Sequence, residues 1–125
     1  MIQEDKELLL KDLCAKLPYG VKFACNKNIY IAKGINLIVT DEGNWEYAVT
    51  AKDIVPIEID FIKPYLFPMS SMTKKEKLMY EGLMIGTDNI SYMLDVIDWL
   101  NAHHFDYRNL IDKGLAIDAT ELNIY

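Results

Sequence analysis

A chain of 125 residues with 51% hydrophobic and 26% charged side chains is long enough for one domain with a hydrophobic core, and this composition excludes wholesale disorder. The net charge of −6, with Arg108 as the one arginine, argues against nucleic acid as the partner, because phosphate binding needs clustered basic side chains. The apolar runs fall short of the ~18 residues of a membrane span, and the acidic N-terminus is unlike a secretory signal. We therefore expect a single cytoplasmic domain over residues 1–125, with no membrane segment and no cofactor.

The first segment has apolar residues at helical spacing, which predicts an N-terminal helix over residues 1–17. Its apolar face consists of Leu9, Leu10, Leu13, Cys14 and Leu17. The opposite, solvent-facing side of this helix is expected to carry the charged residues, including Asp12 and Lys16. We interpret Cys14 and Cys25 as buried hydrophobic residues, because a reducing cytosol and their spacing favour neither a disulfide nor a metal site.

Alternating apolar and polar residues follow, and they predict an antiparallel β region over residues 21–62. Residues 41–44, Asp-Glu-Gly-Asn, are typical of a hairpin turn, because Gly and Asn tolerate positive φ. The strands on either side of this turn carry alternating apolar residues at Ile35, Leu37, Val39, Trp45, Tyr47 and Val49. Residues 63–73 contain two prolines and are predicted to form a stiff connector.

The C-terminal part of the chain is predicted to be helical over residues 73–114. Thr73 and Glu76 form a capping-box pattern, so we expect a helix to begin there and to run to about Met84. Residues 115–125 are too apolar for an unpacked end, and we expect them to form an ordered tail.

A second helix in this region is expected after a stop at Gly86 and a cap at Thr87 or Asp88. We expect its apolar residues to form one buried stripe, made of Ile90, Met93, Leu94, Ile97 and Leu100. A short helical turn is predicted over residues 107–113.

These elements together predict an α+β fold: an N-terminal helix, a small curved antiparallel sheet or SH3-like barrel, and then two to three C-terminal helices. Parallel pairing of the strands would need crossover helices between them. The segments between the predicted strands are too short for such crossovers.

Residues 98–108 concentrate side chains that can bind, stack or carry protons, and they are the candidate site. The candidate binding residues are Trp99, His103, His104, Asp106, Tyr107 and Arg108. His103 and Asp106 have the i,i+3 spacing of a metal-ligand pair, and a histidine beside carboxylates suits acid–base chemistry. The same segment is also typical of a packed helix end, with His104 capping carbonyls and His103 stacking on Trp99. We favour this structural interpretation, and we assign no catalytic residue and no metal ligand.

The functional prediction rests on the catalytic motifs that the sequence lacks and on its many aromatic residues. No nucleophile elbow, phosphate loop or paired-cysteine motif is present, so a non-enzyme is favoured without excluding an enzyme. The many Tyr and Trp residues favour protein contacts, and a binding module should expose an aromatic patch of several hundred Å².

One alternative is a small hydrolase or metal-dependent enzyme centred on His103, His104 and Asp106. A weaker one is a nucleic-acid-associated barrel, which needs basic residues on one face. Those basic residues are Lys22, Lys27, Lys33 and Lys63.

Three blocks of the sequence resemble small uncharacterised proteins of gut anaerobic bacteria and of their phages and prophages. The blocks are residues 8–20, residues 63–73 (KPYLFPMSSMT) and residues 98–108 (DWLNAHHFDYR). Residues 110–116 and 122–125 are similar to the same proteins. The resemblance implies a mobile-element origin and carries over no catalytic residue. We accordingly expect an intracellular, phage- or prophage-derived, non-catalytic protein-binding or adaptor module, whose partner is another protein or a second copy.

Overall fold

The computed structural model describes residues 1–85 and 90–125 of the chain. Its helices are α1 (Gln3–Lys16), α2 (Lys74–Met84) and α3 (Ile90–Ala102). Its strands are β1 (Lys22–Cys25), β2 (Asn28–Ile31), β3 (Gly34–Val39), β4 (Trp45–Thr50), β5 (Ile57–Glu58), β6 (Lys63–Pro68), β7 (Phe105–Asp106) and β8 (Ile117–Asp118). Within these described ranges, no helix combines the length and the apolar composition that crossing a membrane requires.

The described strands form two sheets. The first has the order β2-β1-β6-β7, with β8 also paired to β6, and the second has the order β3-β4-β5. The strands up to β6 pair antiparallel, whereas β7 and β8 run parallel to β6. The predicted α+β class is confirmed. Of the two forms expected for the β region, the described residues show curved open sheets and no closed barrel.

Two tight turns set the strand registers. Asn26 and Lys27 connect β1 to β2 with φ values of 49° and 69°, the left-handed conformation that two-residue hairpin turns require. The predicted turn at residues 41–44 is confirmed. There Gly43 has a φ of 82°, and its N–H donates to the Thr40 carbonyl at 2.8 Å.

The connector predicted over residues 63–73 is wrong in its first half, because this half is strand β6 at the centre of the larger sheet. Proline lacks the N–H that a central strand normally contributes, which is why the pattern favoured a connector. Here Pro64 and Pro68 lie near the two ends of the strand. Between them the Leu66 carbonyl accepts from the Ala119 N–H at 2.8 Å, so the tail supplies the donor.

Helix α1 is turned relative to its predicted orientation. Leu9 and Leu13 are buried as expected, but Asp12 and Lys16 are buried beside them and Cys14 is exposed. The predictions for these last three residues are therefore wrong. Positions 9, 12, 13 and 16 have the i, i+3, i+4, i+7 spacing of one helix face, and that face packs on the core. Cys25 in β1 is buried as predicted.

Helix α2 begins as predicted. The Thr73 hydroxyl accepts from the Glu76 N–H at 3.1 Å, and the Glu76 carboxylate accepts from the Thr73 N–H at 2.9 Å, which completes the capping box. The predicted stop at Gly86 and the predicted cap at Thr87 or Asp88 lie outside the described residues.

Helix α3 buries only the end of the predicted stripe, and it also buries Val96 beside it. Its buried residues are Val96, Leu100 and Asn101, so Leu100 alone of the predicted stripe is buried. The stripe residues that remain exposed are Ile90, Met93, Leu94 and Ile97. Val96, rather than its neighbour Ile97, packs with Leu100 and Phe105. Asn101 lies one turn after Ile97, so the buried side overlaps the predicted stripe near the end of the helix and extends from it to Val96, about 100° around the helix from Ile97.

The segment after α3 is extended at β7 and then turns. Of the helical turn predicted over residues 107–113, one i,i+4 bond is present, from the Lys113 N–H to the Asn109 carbonyl at 3.3 Å. Asn109 has a φ of 60°, which no helical residue adopts. Both carboxylate oxygens of Asp106 accept backbone N–H groups, from Leu110 at 2.8 Å and from Ile111 at 2.9 Å. This side-chain cap stabilises a turn in place of a helix.

The tail over residues 115–125 is ordered against the larger sheet, as expected. It contributes β8, and the side chain of its last residue, Tyr125, connects β1 to β6 by hydrogen bonds. The Tyr125 hydroxyl accepts from the Lys22 N–H at 2.7 Å and donates to the Tyr65 carbonyl at 2.8 Å. Burial raises the pKa of this phenol well above its usual range, which keeps it a neutral donor.

Candidate functional site

His104 is part of the packed interior. It is 9% exposed, its φ is 60°, and its ring stacks on the Tyr125 ring with centroids 3.8 Å apart. Nε2 lies 2.8 Å from the Tyr19 carbonyl oxygen, which can only accept, so Nε2 carries the proton. Burial lowers the pKa of this imidazole below its usual value, partly offset by the bond to Tyr19. His104 therefore connects α3 to the turn after α1.

His103 lies on the outside of the same helix end. Its Nδ1 donates to the Trp99 carbonyl at 2.8 Å, and its ring centroid lies 4.4 Å from that of Trp99. Trp99 in turn stacks on Phe105 and Tyr80. The stacking on Trp99 predicted for His103 is present. The capping of a carbonyl in α3, which was predicted for His104, is made by His103 instead, and His104 bonds to the Tyr19 carbonyl.

The next three side chains are turned toward the protein interior: Asp106 is buried, and Tyr107 and Arg108 are half-buried. Asp106 is buried with both oxygens bonded to backbone N–H groups, as described above. The Tyr107 hydroxyl donates to the Asn101 side-chain carbonyl at 2.9 Å. The Arg108 guanidinium lies over the Tyr107 ring at 4.9 Å. The six candidate residues thus lie in one segment, but their polar atoms are directed to different partners.

A buried ion pair on α1 completes this junction and was missed by the sequence analysis. The Lys16 ammonium donates to Asp12 Oδ1, and both side chains are fully buried. Arg108 Nε lies 3.4 Å from the same oxygen, and Lys16 lies over the Tyr107 ring at 4.7 Å. Burial raises the pKa of Asp12 and lowers that of Lys16, and in each case the partner's charge opposes the shift. The signal for this pair was its i,i+4 spacing within the 9, 12, 13, 16 stripe.

The hydrolase and metal hypotheses require His103, His104 and Asp106 to converge in one cleft. The two histidines bond to separate backbone carbonyls, and Asp106 bonds to backbone N–H groups. In residues 1–85 and 90–125, no three His, Cys, Asp or Glu side chains lie close enough to share a metal ion. The convergence that these hypotheses need is not formed, and residues 98–108 are a structural junction.

The nucleic-acid hypothesis requires four lysines on one face. Lys63 lies opposite Ala24, so it shares a sheet face with Lys22, two residues along β1. Lys27 lies in the β1–β2 turn, and Lys33 follows β2. The Lys22 ammonium donates to the Ile124 carbonyl, so its charge is engaged by the tail. The register therefore aligns two of the four lysines.

An exposed apolar surface lies elsewhere, on the β3–β4 hairpin. We call Leu37, Val39, Trp45 and Tyr47 the hairpin patch. Leu37 lies opposite Tyr47 and Val39 opposite Trp45, so all four side chains share one face of the hairpin. Their exposed fractions run from 41% at Tyr47 to 71% at Trp45. Together they expose on the order of 500 Å² without a charged side chain among them, the size of a functional patch on a monomer.

The hairpin patch continues a buried face of the same sheet. The next pair along the hairpin, Ile35 and Val49, lies on the same side and packs in the main core. On the opposite side, Ala48 is buried and Glu46 forms an ion pair with Lys6 of α1. The hairpin thus extends past the core, and its face of Leu37, Val39, Trp45 and Tyr47 is left uncovered there. The alternation of apolar residues along both strands was the sequence signal for this face.

The patch borders an open strand edge. Among the described strands, β3 pairs with β4 and with no strand on its other side. The Thr40 N–H donates to the Asn44 carbonyl, which places the backbone groups of Ile35, Leu37 and Val39 on the outer edge by alternation. Residues 34–39 contain no proline and no charged residue, the devices that usually protect an edge. Asp41 and Glu42 are exposed at the hairpin turn beside it.

The chain matches no protein family model, no curated protein and no solved structure.

Proposed function

We propose that this protein is a non-catalytic binding or adaptor module that contacts a partner protein through the hairpin patch. The observation that supports this most is the patch itself: Trp45 and three apolar neighbours share one exposed, uncharged sheet face. Large aromatic side chains on such surfaces supply most of the binding energy in protein interfaces. The exposed aromatic patch expected of a binding module is therefore present on this hairpin.

The open edge of β3 indicates what kind of partner segment fits. An extended segment that pairs with β3 satisfies the outward backbone groups of Ile35, Leu37 and Val39. Its alternate side chains then lie beside the hairpin patch, so they should be large and apolar. Because Asp41 and Glu42 are exposed at the turn, lysine or arginine at the end nearest the turn complements their charge.

The proposal includes a cytoplasmic location and a phage or prophage origin. The location is supported by Cys14 and Cys25, which form no disulfide with each other. The origin is supported by the resemblance of residues 8–20, 63–73 and 98–108 to the proteins of gut anaerobes and their phages.

A displayed random-peptide library tests the proposal directly. Peptides selected on the wild-type protein should share alternating apolar residues and a basic end. They should bind Trp45→Ser and Leu37→Ser at least tenfold more weakly, because each variant removes a large part of the patch. Leu78→Ser is the matched control, since Leu78 is a similarly exposed apolar residue on α2, outside the patch, and the affinity of this variant should equal wild type.

Two results contradict the proposal. One is a selection that yields no peptide with specific binding. The other is a set of peptides whose affinity is unchanged by Trp45→Ser and Leu37→Ser.

A further inference from the structure

The open edge of β3 is complementary to a second copy of itself. Its outward backbone groups belong to Ile35, Leu37 and Val39, which are evenly spaced about Leu37. When two such edges run antiparallel with Leu37 opposite its own copy, Ile35 of each copy lies opposite Val39 of the other. Every one of these pairs joins two outward-facing residues, so each pair exchanges both backbone hydrogen bonds, about six bonds in all.

No other antiparallel register pairs all three outward residues of β3. A shift by one residue places outward groups opposite inward groups, and no ladder forms. A shift by two residues in either direction leaves one outward residue opposite a residue that lies outside β3, because the strand comprises Gly34–Val39. The register about Leu37 is therefore the one that uses the whole edge.

The same register brings opposite charges together at both ends of the strand pair. Lys33 directly precedes β3 and Asp41 follows it, and each lies four residues from Leu37. The Lys33 N–H donates to the Thr50 carbonyl at 2.8 Å, which keeps the chain beside β4 at this position. In the strand pair, Lys33 of each copy comes beside Asp41 of the other, and both residues are exposed. These two contacts oppose the repulsion between copies that each carry −6.

The apolar faces of the two hairpins join in this arrangement. Residues that lie opposite each other in an antiparallel pair point to the same face of the sheet, so the two hairpin patches share one face of a continuous sheet. Val39, which is exposed in one copy, then lies beside Ile35 of the other, which packs on the main core. The pairing therefore covers apolar surface as well as backbone groups.

We propose that two copies of this protein pair through their β3 edges, antiparallel about Leu37. The pairing covers an edge that lacks the usual protecting prolines and charges, and it closes after two copies because the axis is two-fold. It goes beyond the proposed partner binding. One consequence rests on that proposed function: a partner segment and the second copy occupy the same edge, so each excludes the other.

Disulfide cross-linking tests the register. Facing Cα atoms in a hydrogen-bonded antiparallel pair lie about 5.5 Å apart, a distance that a disulfide spans. Leu37→Cys should therefore form a covalent dimer under mild oxidation at least tenfold faster than Val39→Cys. Leu37 and Val39 are each 56% exposed and are matched in accessibility, but the two copies of residue 39 lie roughly 14 Å apart. Both variants carry Cys14→Ser, because Cys14 is exposed.

Sedimentation velocity across a range of protein concentrations tests the association and its charges. The wild-type protein should change from the 14.4 kDa monomer to a species of twice that mass as concentration rises. Lys33→Glu and Asp41→Lys should each weaken the dimer about tenfold, because each places like charges at both ends of the pair. The double variant restores opposite charges and should associate as the wild type does. A peptide selected on the protein should dissociate the dimer.

Circular dichroism of each variant establishes that it is folded. A wild-type protein that stays monomeric at every concentration overturns the inference, whether or not selected peptides bind. So does equal cross-linking of Leu37→Cys and Val39→Cys, or a double charge variant that associates no better than the single ones. A peptide that binds the intact dimer overturns the shared edge. A dimer with this register and charge dependence, in the absence of any selected peptide, supports the inference and contradicts the proposed function alone.

Discussion

At the scale of single residues, the buried pair Asp12–Lys16 determines how α1 sits on the core. Both side chains are fully buried, and Lys16 and Arg108 approach the same Asp12 oxygen. Removing two charges from water is unfavourable, so the pair is stable only while each charge keeps its partner. Through Tyr107 and Arg108 the pair also fixes the start of the segment that follows α3.

Single replacements in this pair should be strongly destabilising, and the double replacement should not be. Asp12→Leu leaves Lys16 buried with an aromatic ring alone for compensation, so the free energy of unfolding should fall by about 3–5 kcal/mol. Lys16→Met should cost less, because Arg108 stays beside Asp12. The double variant should be close to wild type. Urea unfolding of the wild type, the two single variants and the double variant measures these free energies. A loss in the double variant equal to the sum of the two single losses would contradict the prediction.

His104 should make stability depend on pH near neutrality. Its pKa is lowered in the folded protein, so the unfolded chain binds this proton more readily. The stabilisation is complete above the ordinary histidine value of 6.5 and is lost as pH falls below it toward the folded pKa. His104→Asn keeps a residue that tolerates the positive φ and removes the titration. Urea midpoints at pH 7.5 and about 5.5 should then differ more in wild type than in the variant.

The sequence could predict the contacts of residues 98–108 better than those of α1. Stacking of His103 on Trp99 and helix-end packing of His104 follow from local spacing, and both are present. Burial of Asp12 and Lys16 depends on which side of α1 the sheet covers. A charged i,i+4 pair is typical of a solvated face, so its burial was not predicted.

At the scale of elements, α3 is buried near its end and exposes apolar residues along its first turns. Leu100→Ala should lower the free energy of unfolding by about 2–5 kcal/mol, because it leaves a cavity among Val96, Phe105 and their neighbours. Leu94→Ala, the same chemical change at an exposed residue of the helix, should change it by less than about 0.5 kcal/mol. Equal losses in the two variants, measured by urea unfolding, would show that Leu94 is covered within the monomer.

The β3–β4 hairpin should tolerate loss of its patch. Because Trp45 is 71% exposed, Trp45→Ser should change the free energy of unfolding by less than about 0.5 kcal/mol. The variant therefore separates binding from folding. Its thermal or urea unfolding should follow the wild-type curve, and a loss above about 2 kcal/mol would assign Trp45 to the core instead.

Elements specified by local chemistry were predicted well, and those specified by tertiary contact were not. The Thr73 capping box and the turn at residues 41–44 depend on neighbouring residues, and both are confirmed. Strand β6 depends on donors from the distant tail, so its two prolines were misleading. The apolar spacing in α3 indicated a packing face, but it contains no information on whether the same chain covers that face.

At the scale of the whole molecule, the core and the proposed contact surfaces are separate. Residues 98–108 hold α1, α3 and the tail together, and their polar groups are engaged in that role. The hairpin patch extends from the smaller sheet, away from residues 98–108. Substitutions in the patch can therefore test the proposed partner contact without changing the contacts that hold the fold together.

Backbone amide NMR of the wild-type protein, titrated with a peptide selected on it, tests the binding surface most directly. Strand addition predicts that the largest shifts fall on Ile35, Leu37 and Val39, with nuclear Overhauser contacts between these amides and the peptide backbone. The Trp45 indole should shift with them. Shifts concentrated in residues 98–108, with the β3 amides unchanged, would contradict the proposed strand addition and place the binding site in the candidate segment of the sequence.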